Sequence, residues 1–161
     1  LPEAQLDRFL FKLNVEFPNL DELKEIMDLT LTNNKLELSN VLEGSEILEL
    51  RNIIKEIKIA EPVKEYALKL ILATHPELEY GAEIAKKYVE AGAGPRAAQG
   101  IIAGAKVRAV MEGRLNVSFE DIKELAYPVL RHRIILNFDA ITEGLNEEDI
   151  ISKILEDLKV V

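Results

Sequence analysis

Gly92-Ala93-Gly94-Pro95-Arg96-Ala97-Ala98-Gln99-Gly100 opens a helix that runs as far as Gly113-Arg114, and its first turn decides how the rest of the chain is read. Proline at the first helical position has its φ already set and lacks an N–H, so Gly94 reads as N-cap, Pro95 as the first helical residue and Arg96 as the second. A glycine cap carries no side chain and leaves the first N–H groups of the helix open. Arg96 stands among them, an arrangement unfavourable against the helix dipole by roughly 0.3–1 kcal/mol. Open N–H groups beside a guanidinium form an anion site, and a bound phosphate would remove the conflict. The alternative is an exposed arginine in an ordinary first turn.

The 161 residues suffice for one domain, or one domain with an appendage. There is no cysteine, which excludes a disulfide framework and any Cys-ligated zinc. No run of eighteen or more apolar residues occurs. The net charge of −9 is unevenly spread: residues 1–93 carry −7, residues 94–133 carry +3 and residues 134–161 carry −5. An acidic body without a broad basic face argues against nucleic acid or an anionic membrane as partner, and the one positive segment contains Arg96. The expected location is cytoplasmic. Leu1 is not an initiator methionine, and the chain is expected to be a piece of a longer protein.

Leu1 to Arg8 suggests a short helix with Pro2 in its first turn. Phe11, Leu13, Val15 and Phe17 then alternate with Lys12, Asn14 and Glu16, the period of a half-buried strand over 9–17. A lone strand cannot satisfy its ladder, so its partners are expected in sequence outside this chain. After Pro18 the period turns helical, with Leu20, Leu23, Ile26, Met27 and Leu31 on one stripe and an end at Asn33-Asn34. Residues 35–44 read as a loop. Ser45 is the expected cap of a helix to Ile57, Ile57-Lys58-Ile59 as a short extended piece, and Glu61-Pro62 as the start of a helix to Thr74 bearing Tyr66, Leu70 and Ala73 on one face. Pro76 stops that helix and makes His75 a helix-end residue rather than a ligand. A short helix is expected around Ala82–Glu90.

In the helix from Pro95, Gly100 and Gly104 lower propensity but allow another backbone to come close. Lys106 and Arg108 read as solvated side chains. Ser118 and Asp121 form a capping-box pattern, Tyr127-Pro128 kinks or restarts the following helix, and Asn146 caps a last amphipathic helix. His132, between Arg131 and Arg133, is biased towards its neutral form. Glu46, Glu49 and Glu56 are surface charges. The chain lacks Gly-x-x-x-x-Gly-Lys-[Ser/Thr], His-Glu-x-x-His and any supported Ser/His/Asp set. Alone it is not expected to catalyse a reaction.

Three stretches, Leu1-Pro2-Glu3-Ala4-Gln5-Leu6-Asp7-Arg8-Phe9, Gly92-Ala93-Gly94-Pro95-Arg96-Ala97 with Gly113-Arg114, and Pro128-Val129-Leu130-Arg131-His132-Arg133, together resemble the C-terminal part of MoxR-type AAA+ ATPases in this order. The resemblance implies a mainly α fold: a helical lid bundle over residues 19–161, preceded at 1–18 by a short helix and one strand left over from the α/β nucleotide-binding core. It implies that Arg8 is the arginine finger acting in trans and Arg96 the sensor-2 arginine, with Gly94, Pro95 and Arg96 facing the nucleotide. Gly94 replaces a serine frequent in that family. The parent protein would bind ATP and Mg²⁺ and hydrolyse ATP in a homo-hexameric ring, acting as a chaperone-like remodeller, often with a partner carrying a von Willebrand factor A-type domain. The chain alone lacks Walker A and Walker B, so neither hydrolysis nor bound cofactor is expected of it. Movement about Pro18-Asn19 is expected to couple nucleotide state to subunit geometry. Two alternatives differ in class: a free-standing helical interaction module, in which strand 9–17 pairs inside the fold, and the lid of an AAA+ machine acting on DNA or in metal chelation.

Overall fold

The computed structural model describes residues 2–31 and 38–159. Its elements in chain order are α1 (Glu3–Leu6), α2 (Leu20–Leu31), α3 (Gly44–Glu56), α4 (Glu61–Ala73), α5 (Glu83–Tyr88), β1 (Val89–Ala91), α6 (Pro95–Met111), α7 (Phe119–Leu130), β2 (Ile135–Leu136), α8 (Phe138–Thr142) and α9 (Glu147–Asp157). The mainly helical fold read from the sequence is therefore present. The expected helix end at Asn33-Asn34, and the first residues of the loop after it, lie outside the described residues.

The core forms where two helices approach most closely. Ala97, Ile101, Ala105 and Ala109 line the buried side of α6 and meet Ile122, Ala126, Val129 and Leu130 of α7. Small residues make that distance possible: a Cβ added to Gly104 would stand 2.6 Å from Leu125 Cδ1, and one added to Gly100 3.4 Å from Val129 Cγ1. Tyr66, Ala67, Leu70 and Ala73 of α4 and Ile150, Ile151 and Ile154 of α9 close the bundle. Every described residue that is fully buried lies between Ile57 and Ile154. By contrast, α2 and α3 bury none of theirs, and Leu20, Leu29, Leu31, Leu48 and Ile53 remain exposed.

Of the helix starts expected from the sequence one is displaced, and α8, capped by Asn137, was not expected. Pro62 opens α4, Gly94 and Pro95 open α6, Ser118 caps α7 and Asn146 caps α9. The displaced start is that of α3, whose N-cap is Glu43 rather than Ser45, because the Glu46 carboxylate accepts the Glu43 N–H at 2.6 Å and fixes the start two residues earlier. α7 runs on through Pro128 to Leu130 without restarting. Lys58 makes one parallel bridge with Asn116, so the extended piece after α3 is real but minimal.

The strand expected over 9–17 does not form among the described residues. A ladder needs a neighbouring strand, and the carbonyls that would enter one are held by side chains instead: Phe9 and Leu10 by Arg133, and Lys12 by Arg131. The sheet that does exist pairs β1 antiparallel with β2, Val89 opposite Leu136 and Ala91 opposite Ile135, with an irregularity between Val89 and Ala91.

Candidate functional site

The loop from β1 into α6 is fixed from two sides. Pairing with β2 ends at Ala91, and two residues later α4 takes hold. Thr74 and His75, at the α4 C-terminus, grip both polar groups of Ala93. The Ala93 N–H donates to Thr74 Oγ1 at 3.0 Å, while the Ala93 carbonyl accepts from His75 Nε2 at 3.0 Å. Thr74 Oγ1 itself donates to the Ile71 carbonyl at 2.7 Å. His75 is thus a helix-end residue with a structural task. Gly92 is required for this approach, since a Cβ there would meet His75 Cγ at 2.7 Å and the Thr74 carbonyl oxygen at 2.8 Å.

Beyond the grip the chain opens. Gly94 caps α6 with φ −75° and ψ 179°, offers no side-chain bond, and has nothing within 4 Å of where a Cβ would stand. Arg96, in the first turn, is half exposed. Its Nη1 donates to Asp7 Oδ2 at 3.1 Å. The conflict between a cation and the positive end of the helix is therefore met by a carboxylate from 89 residues earlier.

Asp7 is shared. Its other oxygen, Oδ1, accepts from Arg133 Nε at 3.0 Å. Burial raises the Asp7 pKa, but hydrogen bonds and charge from Arg133 and Arg96 outweigh it and hold the carboxyl below its usual value. Arg133 Nη1 donates to the carbonyls of Val129 and Leu10, and Nη2 to those of Asp7 and Phe9. The Leu130–Arg133 motif thus clamps the N-terminal segment onto the end of α7. His132 joins it: Nε2 donates to the Phe9 carbonyl at 3.0 Å, leaving Nδ1 buried and unpartnered. Its pKa is lowered, chiefly by burial and then by the charges of Arg133 and Lys12, against a raising effect of the Phe9 carbonyl. The shift has the direction expected from the sequence, with burial rather than flanking charge as the main cause.

Arg8, the other arginine singled out in the sequence, is exposed, and its side chain has no hydrogen bond or ion pair with the described residues. It does not meet Arg96. Gly113-Arg114 serves elsewhere: Gly113, at φ +70°, ends α6, and Arg114 grips Asp121 at the start of α7 with bonds of 2.7 and 2.6 Å. Lys106 and Arg108 are not simply solvated as expected. Lys106 Nζ donates to the Lys55 carbonyl at the end of α3, and Arg108 Nε lies 3.3 Å from Asp121 Oδ1 at ion-pair distance, though not aligned for a hydrogen bond. Among the described residues no group of three or more His, Asp and Glu is arranged to hold a metal ion. Among the described residues no helix is long and apolar enough to cross a membrane.

Residues 81–154, from just before α5 into α9, match the family described as the AAA lid domain. Chaperone MoxR1 of Mycobacterium tuberculosis is 35% identical over 97% of this chain and 41% of its own length. The uncharacterized protein YeaC of Bacillus subtilis is 31% identical over 99% of this chain and 48% of its own. The chain is the lid portion of a MoxR-type AAA+ protein. A crystal structure from Cytophaga hutchinsonii, described as a candidate ATPase, superposes on the whole MoxR lid with a TM-score of 0.90 at 36% identity, covering 49% of that chain. The lid thus spans about half the length, or less, of the relatives it matches.

What sequence reasoning missed at the MoxR lid site is Asp7 and Thr74. Neither belongs to a periodic pattern, and each matters through a partner far away in the chain. Asp7 precedes Arg8 inside the first quoted motif, so its presence was visible and its role was not.

Proposed function

We propose that this chain is the lid of an ATP-hydrolysing, ring-forming MoxR protein, in which residues 1–18 end the nucleotide-binding core and residues 19–161 form the lid. Arg96 acts as the sensor-2 arginine, contacting the γ-phosphate of ATP bound in its own subunit. Gly94 brings no side-chain oxygen to the Arg96 N–H, which stays open to the same phosphate, while the Ala97 N–H bonds back to the Gly94 carbonyl at 2.9 Å and Pro95 presets the turn. Arg8 acts as the arginine finger towards ATP of an adjacent subunit in a homo-hexamer. The observation that carries the reading is the exposed guanidinium of Arg96 above an uncapped helix start, held by one carboxylate through a single nitrogen. A planar fork of donors suits phosphoryl oxygens, and a trans-acting arginine contributes on the order of 10³–10⁵ in rate in phosphoryl transfer. Bound Mg²⁺ would neutralise charge on the phosphates, held by core residues outside this chain. The relative named Chaperone MoxR1 supports a chaperone-like remodelling role. The setting is cytoplasmic, with a partner carrying a von Willebrand factor A-type domain.

The test is Arg96→Ala in the complete protein. ATP turnover is expected to fall at least tenfold. Turnover and nucleotide affinity both equal to the wild type would overturn the assignment.

A further inference from the structure

Resting on the assignment of Arg96 to a phosphate, we infer that Asp7 is a positioning residue that orients the Arg96 guanidinium at the open start of α6. The two oxygens of Asp7 divide between a fixed partner and an exposed one. The fixed partner is Arg133, whose side chain is 3% exposed and whose five N–H donors are all used: Nε on Asp7 Oδ1, and the two Nη groups on the carbonyls of Val129, Leu10, Asp7 and Phe9. A guanidinium saturated in this way cannot turn. It fixes the carboxylate, and the carboxylate fixes one corner of Arg96. The other donors of Arg96 have no partner among the described residues, so the fork is held at one nitrogen and presented by the rest.

Charge does not oppose this arrangement. Two arginines surround one carboxylate, so the cluster stays net positive towards an incoming phosphate. Arginine is otherwise a long side chain spread over many rotamers, and a displacement of about 1 Å at a reacting group costs up to about a hundredfold in rate. The same clamp holds the carbonyls on either side of Arg8, those of Asp7 and Phe9, on one nitrogen of Arg133. Backbone placement of Arg8 therefore depends on Arg133 itself, whereas orientation of Arg96 depends on the carboxylate of Asp7.

The experiment uses the complete protein and reads steady-state ATP turnover beside binding of ATPγS. Asp7→Asn keeps the shape and an acceptor for Arg133 but removes the charge that holds Arg96. Turnover is expected to fall at least fivefold, while the Kd for ATPγS stays within threefold. Added to Arg96→Ala, Asp7→Asn is expected to cost less than twofold further, because a positioning residue has nothing left to position. A smaller fall in turnover, a loss of affinity matching the loss of turnover, or additive losses in the double variant would overturn the inference. Should Asp7→Asn not fold by circular dichroism, Asp7→Glu retains the charge that Arg133 needs and displaces the carboxylate by one methylene, and the same outcomes apply. Wild-type turnover in Arg96→Ala itself would overturn the phosphate assignment, and this inference with it.

Discussion

Helices α6 and α7 pack along each other for most of their length, yet they begin in opposite ways. Each start has an aspartate between two arginines. At α7 the aspartate is Asp121, with a side chain 1% exposed, and its hydrogen-bond partners Ser118 and Arg114 are local. Ser118 N–H donates to Asp121 Oδ2 at 2.8 Å, and Arg114 binds both carboxylate oxygens. At α6 the cap is a bare glycine, the carboxylate arrives from Asp7, and its side chain is 33% exposed. A start closed by its own sequence is a sealed structural joint. One closed from a distant segment keeps a guanidinium at the surface, where another anion can reach it.

The contrast is broken most directly at the sealed end. Arg114→Ala leaves the buried Asp121 with Ser118 and the poorly aligned Arg108, so the loss is expected above about 1 kcal/mol but below the roughly 3–5 kcal/mol of a fully unpaired buried charge. The exposed Arg96–Asp7 pair belongs to the class contributing about 0–1 kcal/mol. Urea denaturation of Arg114→Ala is expected to show that larger loss, and one below about 1 kcal/mol would mean that the two starts do not differ in kind.

Acid sharpens the comparison. The Asp121 pKa is lowered from 3.8 to about 2, chiefly by the hydrogen bonds from Arg114, against the raising effect of burial, with Ser118 adding to the lowering. A carboxylate whose folded pKa lies below its unfolded value stabilises the fold above the unfolded value. That contribution disappears as pH falls through the folded one. A shift of this size corresponds to about 2 kcal/mol lost between roughly pH 4 and pH 2. Stability measured at pH 5 and pH 2 is expected to differ by about 2 kcal/mol less in Asp121→Asn than in the wild type, and equal differences would remove Asp121 as the source.

The two starts also separate what was legible in the sequence from what was not. Ser118 and Asp121 are three residues apart, and Gly94-Pro95 are adjacent, so local rules locate both helix starts. The amphipathic faces of α4, α7 and α9 were legible for the same reason, since each writes its core into a 3.6-residue period, whereas α6 was legible only as a helix of small residues that lets a neighbour come close. β1 and β2 were not: three and two residues are too few to set a period, and β1 directly follows the short helix α5. The alternation of Phe11, Leu13, Val15 and Phe17 has the period of a strand but meets no partner strand among the described residues, and the backbone at Leu10 and Lys12 is held by Arg133 and Arg131 instead. At the candidate site, the position of Arg96 on its helix was legible, whereas its hold on Asp7 and the grip of Thr74 and His75 on Ala93 depend on contacts 18 to 89 residues apart.

The smallest expected effect tests whether the start of α6 is open at all. Gly94 has a φ of −75°, which any residue adopts, and its Cβ direction faces empty space, so Gly94→Ser introduces no strain. A serine oxygen there would accept one of the first N–H groups of α6, and the difference between serine and glycine at an N-cap is a few tenths of a kcal/mol. For a chain of this size that corresponds to a rise of about 1 °C in melting temperature. Since the Ala97 N–H already bonds to the Gly94 carbonyl, a clear rise shows that the Arg96 N–H lacked a protein partner and was available to a ligand. A fall would mean that it is already engaged, and the distinction between the sealed α7 start and the open α6 start would then rest on the Arg96 side chain alone.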